Sequence, residues 1–88
     1  MITVQTNTSL VLAYYSELMP FVPVVGDTYV FTFINKMAKS QSEEITYTCT
    51  VNTGYVCKFE GLQPTDTKND LNIFIEGVNT NEILRIID

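Results

Sequence analysis

An unbroken alternation of apolar and polar residues constrains this chain more than any other feature. In Glu44-Ile45-Thr46-Tyr47-Thr48-Cys49-Thr50-Val51 every odd position is apolar and every even position is polar. Only a half-buried strand satisfies a strict period of two. The alternation stops at Asn52-Thr53-Gly54 and resumes with Tyr55, Cys57 and Phe59. Residues 44–60 are therefore predicted to form a β-hairpin.

The loop of this hairpin predicts its register. A three-residue loop combines a type I turn with a closing residue in the left-handed region, a conformation that Gly54 adopts at little cost. We therefore expect six side chains on one core-facing surface, paired as Val51 with Tyr55, Cys49 with Cys57, and Tyr47 with Phe59.

Turn-forming residues divide the rest of the chain into further strand-length segments. The segment Thr28–Ile34 is apolar on both faces, which predicts a central strand. Prolines in Pro20–Pro23 place that segment in an extended loop or on a sheet edge. The other predicted strands are Ile2–Thr6, Leu10–Tyr15, Leu71–Glu76 and Glu82–Ile87, and the other predicted connections are Asn35–Glu43, Gly61–Asp70 and Gly77–Asn81.

Six or seven strands at a spacing of roughly ten residues, with turn residues between them, are typical of antiparallel all-β domains. The sequence predicts a single domain over residues 1–88. Its expected architecture is an antiparallel β-sandwich, either immunoglobulin-like or a small barrel.

Charge and hydropathy argue against nucleic acid and membranes as partners. The chain has a net charge of −5, and its basic residues are scattered at Lys36, Lys39, Lys58, Lys68 and Arg85. Binding to a phosphate backbone requires clustered cations, so nucleic acid is not an expected partner.

A membrane span is not expected either. The longest apolar-rich segment, Leu10–Val25, contains Ser16, Glu17 and two prolines, and it is shorter than the roughly 20 apolar residues of a membrane span. Because no secretory signal pattern is visible, we expect a soluble protein made in the cytoplasm.

The two cysteines are compatible with either redox state. Opposed positions in a hairpin lie close enough for a disulfide between Cys49 and Cys57. Buried thiols that pack as small hydrophobic groups are favoured, because nothing indicates an oxidising compartment. A metal site is not expected from two thiolates in a chain without histidine.

No residue pattern indicates catalysis. Asp66–Asp70 is rich in oxygen ligands but lacks the spacing of a calcium loop, so it is interpreted as a solvated loop. Glu43 and Glu44 are adjacent, so on a strand their carboxylates point to opposite faces. The commonest general base, histidine, is missing. We therefore predict a protein that is not an enzyme, with no catalytic, cofactor-binding or metal-binding residues and no cofactor.

Two segments carry apolar residues on both faces. They are Leu71–Ile75 and Ile83–Ile87. A domain of this size has one core to fill, so the second apolar set needs another cover. Either the segment Leu10–Val25 covers it, or a partner subunit does.

The run Tyr29-Val-Phe-Thr-Phe-Ile-Asn35, followed by a polar connector and Ile45-Thr-Tyr-Thr-Cys49, resembles small β-sandwich proteins from the structural gene blocks of tailed bacteriophages. The likeness is to phages of Bacteroides and their crAss-like relatives. It implies a virion component made in the host cytoplasm: an auxiliary or decorating capsid protein, or a head–tail connector. Such a protein contacts other virion proteins and possibly itself. The alternative is a small phage or bacterial inhibitor that binds one host protein.

Overall fold

Seven β-strands form a single curled sheet in the computed structural model, which describes residues 1–88. A short 3₁₀ turn, Ser16–Leu18, is the sole helical element. The strand order across the sheet is β1-β7-β6-β3-β4-β5-β2. All neighbours are antiparallel except β1 and β7, which are parallel. The strands are β1 (Ile2–Gln5), β2 (Ser9–Tyr15), β3 (Thr28–Asn35), β4 (Ser42–Asn52), β5 (Val56–Leu62), β6 (Leu71–Ile75) and β7 (Val78–Ile87).

The all-β class is confirmed, whereas the sandwich is not, because one sheet curls into a half-barrel. Alternation along the strands gives this sheet one predominantly apolar face, and curling brings the side chains of that face together. The resulting core contains 14 buried residues: Leu10, Leu12, Tyr14, Phe31, Phe33, Tyr47, Cys49, Cys57, Phe59, Leu71, Ile73, Ile75, Leu84 and Ile86. As predicted, β3 lies at the centre of the sheet.

The predicted hairpin is present as β4 and β5, but its predicted register is wrong. Cys49 lies opposite Phe59, and Asn52 lies opposite Cys57. A β-bulge between Cys49 and Val51 shifts the pairing by one residue. Such a bulge changes which face the following residues occupy. Val51 consequently lies opposite Lys58 and is only half-buried.

The hairpin loop has three residues, as predicted, but lies one residue later in the chain. It consists of Thr53, Gly54 and Tyr55, because β4 ends at Asn52 and β5 begins at Val56. The backbone N–H of Thr53 donates to the carbonyl of Val56 at 3.0 Å. Gly54 has the expected positive φ of 89°, and Tyr55 beside it is 83% exposed. Tyr47, Cys49, Cys57 and Phe59 are in the core as predicted, and Tyr55 is not.

The last hairpin turns earlier than predicted. The predicted connection Gly77–Asn81 is wrong, because Ile75 pairs with Val78 and only Glu76 and Gly77 form the turn. Both turn residues have positive φ, 47° and 79°, as a type I′ turn requires. β7 therefore begins at Val78. A second irregularity follows in β7, where Asn81 has a φ of 63°.

Candidate functional site: the open edge of strand β2

The curled sheet has two edge strands, β1 and β2, that follow each other in the chain. At the end where residues 6–8 connect them, Gln63 joins the two edges. Its Oε1 accepts from the backbone N–H of Asn7 at 2.9 Å, and its Nε2 donates to the carbonyl of Gln5 at 3.1 Å. Its own N–H donates to the carbonyl of Thr8 at 3.3 Å. Apart from these hydrogen bonds of Gln63, no hydrogen bond joins the two edges, and no strand pairs with the outer side of β2.

The direction of the backbone groups of β2 follows from the ends of its ladder with β5. Ser16 N–H donates to Tyr55 O at 2.8 Å, and Thr8 O accepts from Gln63. In an antiparallel pair, bonded residues recur at every second position. Even-numbered residues of β2 therefore bond to β5, and the odd-numbered residues aim their N–H and C=O groups at the open edge. These residues are Ser9, Val11, Ala13 and Tyr15.

This edge lacks the features that normally protect an edge strand. The sequence of β2, Ser-Leu-Val-Leu-Ala-Tyr-Tyr, contains no charge, no proline and no glycine, and its pairing with β5 has no bulge. Edge strands in soluble proteins are usually protected by charged residues, by proline or by a bulge. Val11 is 52% exposed and Tyr15 is 65% exposed. An open, uncharged strand of seven residues is a template for pairing with another polypeptide segment.

A cleft of about 340 Å³ lies at the carboxyl end of β2. Glu82, from the irregular first half of β7, is the only charged residue that lines it. The carboxyl end of β2 and Glu82 of β7 thus border the same cleft. The lining residues are Ala13, Tyr14, Tyr15, Leu18, Val56 and Glu82.

Tyr14 has a buried hydroxyl group that lacks a hydrogen-bond partner. Burial raises the pKa of Tyr14, and the nearby Thr80 hydroxyl partly offsets this rise. Thr80 Oγ1 is already engaged, because it donates to Ile73 O at 2.8 Å and accepts from Glu82 N at 3.3 Å. Most buried hydroxyl groups in folded proteins have a hydrogen-bond partner, so the Tyr14 hydroxyl is an exception that requires an explanation.

The segment Leu10–Val25 does not cover the second apolar set, so the first of the two alternatives is wrong, and cover by a partner subunit stays a prediction. Its first part is β2, which supplies three core residues, and Met19 and Phe21 farther along also pack against the core. Phe21 stacks on Tyr29 with ring centroids 5.0 Å apart. The outward-facing apolar residues of β7, Ile83 and Ile87, remain partly exposed.

Two acidic side chains, those of Glu43 and Asp66, hold the loop after β5 in place. Glu43 accepts hydrogen bonds from the N–H and Oγ1 of Thr65, at 3.0 and 2.9 Å, and from Asp66 N at 3.3 Å. Glu44 lies opposite Thr32. Asp66 accepts from the backbone N–H groups of Lys68 and Asn69, which lower its pKa. No group of three His, Cys, Asp or Glu residues is placed to hold a metal ion.

Both cysteines are free, buried thiols. The Sγ of Cys49 contacts Val51 O at 3.5 Å, and the Sγ of Cys57 contacts Tyr14 O at 3.8 Å. Burial raises the pKa of the Cys49 thiol. These contacts are those of small core residues.

No protein-family model, curated protein or solved structure matches this chain. None of its helical segments has the length and apolar character needed to cross a bilayer.

Proposed function

We propose that this protein acts by binding other proteins, without catalysis, and that the open edge of β2 is its contact surface. The observation that carries this proposal is the outward row of unpaired backbone groups on an uncharged strand. Leaving such an edge open invites pairing with other chains, and natural proteins generally avoid that. A strand edge that is needed for binding has a reason to stay open.

The engagement of the polar side chains supports the same proposal. Glu43 and Asp66 accept hydrogen bonds from the backbone of the loop that follows β5. Asp70 pairs with Arg85 through two hydrogen bonds of 2.8 and 3.0 Å. These three carboxylates therefore form contacts within the fold, and the proposed binding at the β2 edge does not depend on them.

The setting we propose is a virion. The resemblance of the segments around Tyr29–Asn35 and Ile45–Cys49 to tailed-phage β proteins supports an auxiliary or decorating capsid protein, or a head–tail connector. Such proteins work by contacts repeated over a symmetric assembly. In this setting the protein contacts other virion proteins, and copies of itself, after synthesis in the host cytoplasm.

Mass spectrometry of purified particles tests this setting. We expect the chain in particles, in a copy number tied to capsid or tail symmetry. Its absence from particles would contradict the virion proposal.

A small inhibitor of one host protein is the second candidate. The observation that favours it is the cleft beside β2, which is lined mainly by hydrophobic residues and by a single charged residue, Glu82. An inhibitor would be absent from particles and would co-purify in fixed ratio with one host factor.

Site-specific photocrosslinking tests the contact surface in either setting. Benzoylphenylalanine placed at Val11 is expected to crosslink to the partner in particles or in infected-cell extract. The matched control is the same side chain at Met37, which is 86% exposed and lies on the β3–β4 connection. Equal crosslinking from both positions would contradict a specific role of β2.

A further inference from the structure

The occupant of the β2 edge follows from the geometry of the cleft. Resting on the proposed binding function, we infer that the partner contributes one extended strand bearing a basic residue, and that this strand inserts between β2 and the first half of β7. It pairs with the odd-numbered residues of β2.

An extended backbone is the form of polypeptide that matches this edge. The open N–H and C=O groups belong to alternate residues, Val11, Ala13 and Tyr15. Two residues of a β-strand span roughly 6.6 Å. A second strand repeats its own hydrogen-bonding groups at this interval, whereas a helix directs its groups along its own axis.

A single strand fits this position better than the edge of a second folded copy. The β2 edge and β7 of the same sheet border one cleft, because Ala13 and Tyr15 line it together with Glu82. Gln63 holds the two edges of the sheet together at one end. A second copy pairing through its own β2 would bring its β5 along, because those two strands are paired over seven residues. That second strand would then have to pass Leu18 and Glu82, which line the same cleft.

The lining of the cleft specifies the chemistry of the strand. Glu82 is its only charged residue, and no lysine or arginine lines the cleft. Leu18 and Val56 make the remaining surface largely apolar. A strand with apolar residues toward the cleft and a lysine or arginine beside Glu82 is therefore complementary.

The test uses a synthetic peptide and the full chain. The peptide is an acetylated octapeptide of alternating valine and threonine with lysine at both ends, and its comparison peptide carries glutamate at both ends. Binding is followed by NMR of backbone amides. We expect the lysine peptide to shift the amide signals of Val11, Ala13 and Tyr15 and to protect them from hydrogen exchange. The glutamate peptide is expected to bind about tenfold more weakly, in line with the repulsion of like charges.

Two substitutions separate strand pairing from charge. Ala13→Pro removes an N–H that points to the open edge, so the fold should persist while affinity falls about tenfold or more. Lys39→Pro is the matched proline control, because Lys39 follows Ala38 in the turn closed by Gln41 N–H and Ala38 O at 2.8 Å. Glu82→Gln should reduce the preference for the lysine peptide over the glutamate peptide.

Several results would overturn the inference. They are unchanged β2 amide signals at saturating lysine peptide, shifts confined to another strand, unfolding of the Ala13→Pro chain, and a dimer paired through β2 in the absence of peptide. If the lysine peptide does not bind but benzoylphenylalanine at position 11 still crosslinks to a protein partner, the proposed binding function stands. The inference that a strand inserts beside β2 is then wrong.

Discussion

The aromatic ring of Tyr47 packs directly against the backbone of Gly61. A Cβ atom on Gly61 would lie 2.9 Å from the Cδ1 and Cγ atoms of Tyr47 and 3.1 Å from Thr46 O. The hydroxyl of Tyr47 donates to the carbonyl of Leu62, the residue after this glycine. The glycine thus makes room for the largest of the fully buried side chains.

Gly61→Ala is expected to destabilise the protein by about 1–3 kcal/mol, because the added methyl group overpacks the core. Urea unfolding followed by circular dichroism measures the loss. In a double-mutant cycle, Tyr47→Leu should remove much of the Gly61→Ala penalty, since the ring that causes the clash is gone. Simple additivity of the two losses would contradict the close packing.

Gly54→Val is expected to cost about 1 kcal/mol or more, for a different reason. Nothing lies within 4 Å of the position of its Cβ, but its φ is 89°, where a β-branched residue is strained. The melting temperature measures the effect. Tyr55→Ala is the control, since Tyr55 shares the loop and is 83% exposed. An unchanged melting temperature for Gly54→Val would contradict the turn.

The strands of this fold are largely encoded by local patterns, whereas their pairing is not. Alternation in residues 44–51 and the aromatic run of β3 identified strands within one or two residues. The bulge after Cys49 was not predictable, because it depends on how β4 twists against β5. The turn at Glu76-Gly77 was missed because glutamate rarely adopts a positive φ.

The position of β2 at an open edge also depends on strand pairing, which local patterns in the sequence do not predict. Its apolar run predicted a strand, but edge position depends on the parallel pairing of β1 with β7, whose residues are about eighty positions apart in the chain. The signal that was present is the absence of any charged residue from Ser9 to Tyr15. Gln63, which fastens the two edges, lies in a segment interpreted only as a loop.

Acid should weaken the loop that Asp66 organises. The N–H groups of Lys68 and Asn69 hold the pKa of Asp66 below its ordinary value of 3.8. A carboxyl group whose pKa is lower in the folded state stabilises the fold above its unfolded pKa, and this contribution is lost as the pH falls through the folded value. We therefore expect stability to fall below about pH 4.

Asp66→Asn is the variant that checks this pH dependence. It should lower stability at pH 7 and flatten the decrease below pH 4, measured as urea midpoints across the pH range. Glu60→Gln, on the outward face of β5, is the control and should leave the acid-dependent decrease in place. An Asp66→Asn chain with an undiminished decrease would contradict the assignment.

Alternation along β7 predicts opposite outcomes for neighbouring substitutions. Leu84 is fully buried and Ile83 is only half-buried on the other face. Leu84→Asp should unfold the chain, because an unpaired charge in the core is severely unfavourable. Ile83→Asp should leave a folded protein with a modest loss of stability. Unfolding by both substitutions would show that both faces of β7 are core.

Two tyrosine hydroxyl groups in the core should respond oppositely to removal. Tyr14 has no hydrogen-bond partner, whereas Tyr47 donates to Leu62 O. Tyr14→Phe removes a buried hydroxyl group that forms no hydrogen bond in the free protein. The free energy of unfolding should therefore stay equal or rise. Tyr47→Phe leaves a carbonyl without its donor and should cost about 1 kcal/mol.

Parallel urea titrations of the two variants provide the measurement, and each variant is the other's control because the chemical change is identical. Both variants lose one oxygen atom, so the difference between their losses of stability measures the hydrogen bond from Tyr47 to Leu62 O. A loss of stability in Tyr14→Phe equal to that in Tyr47→Phe would show that the Tyr14 hydroxyl has a partner in the free protein.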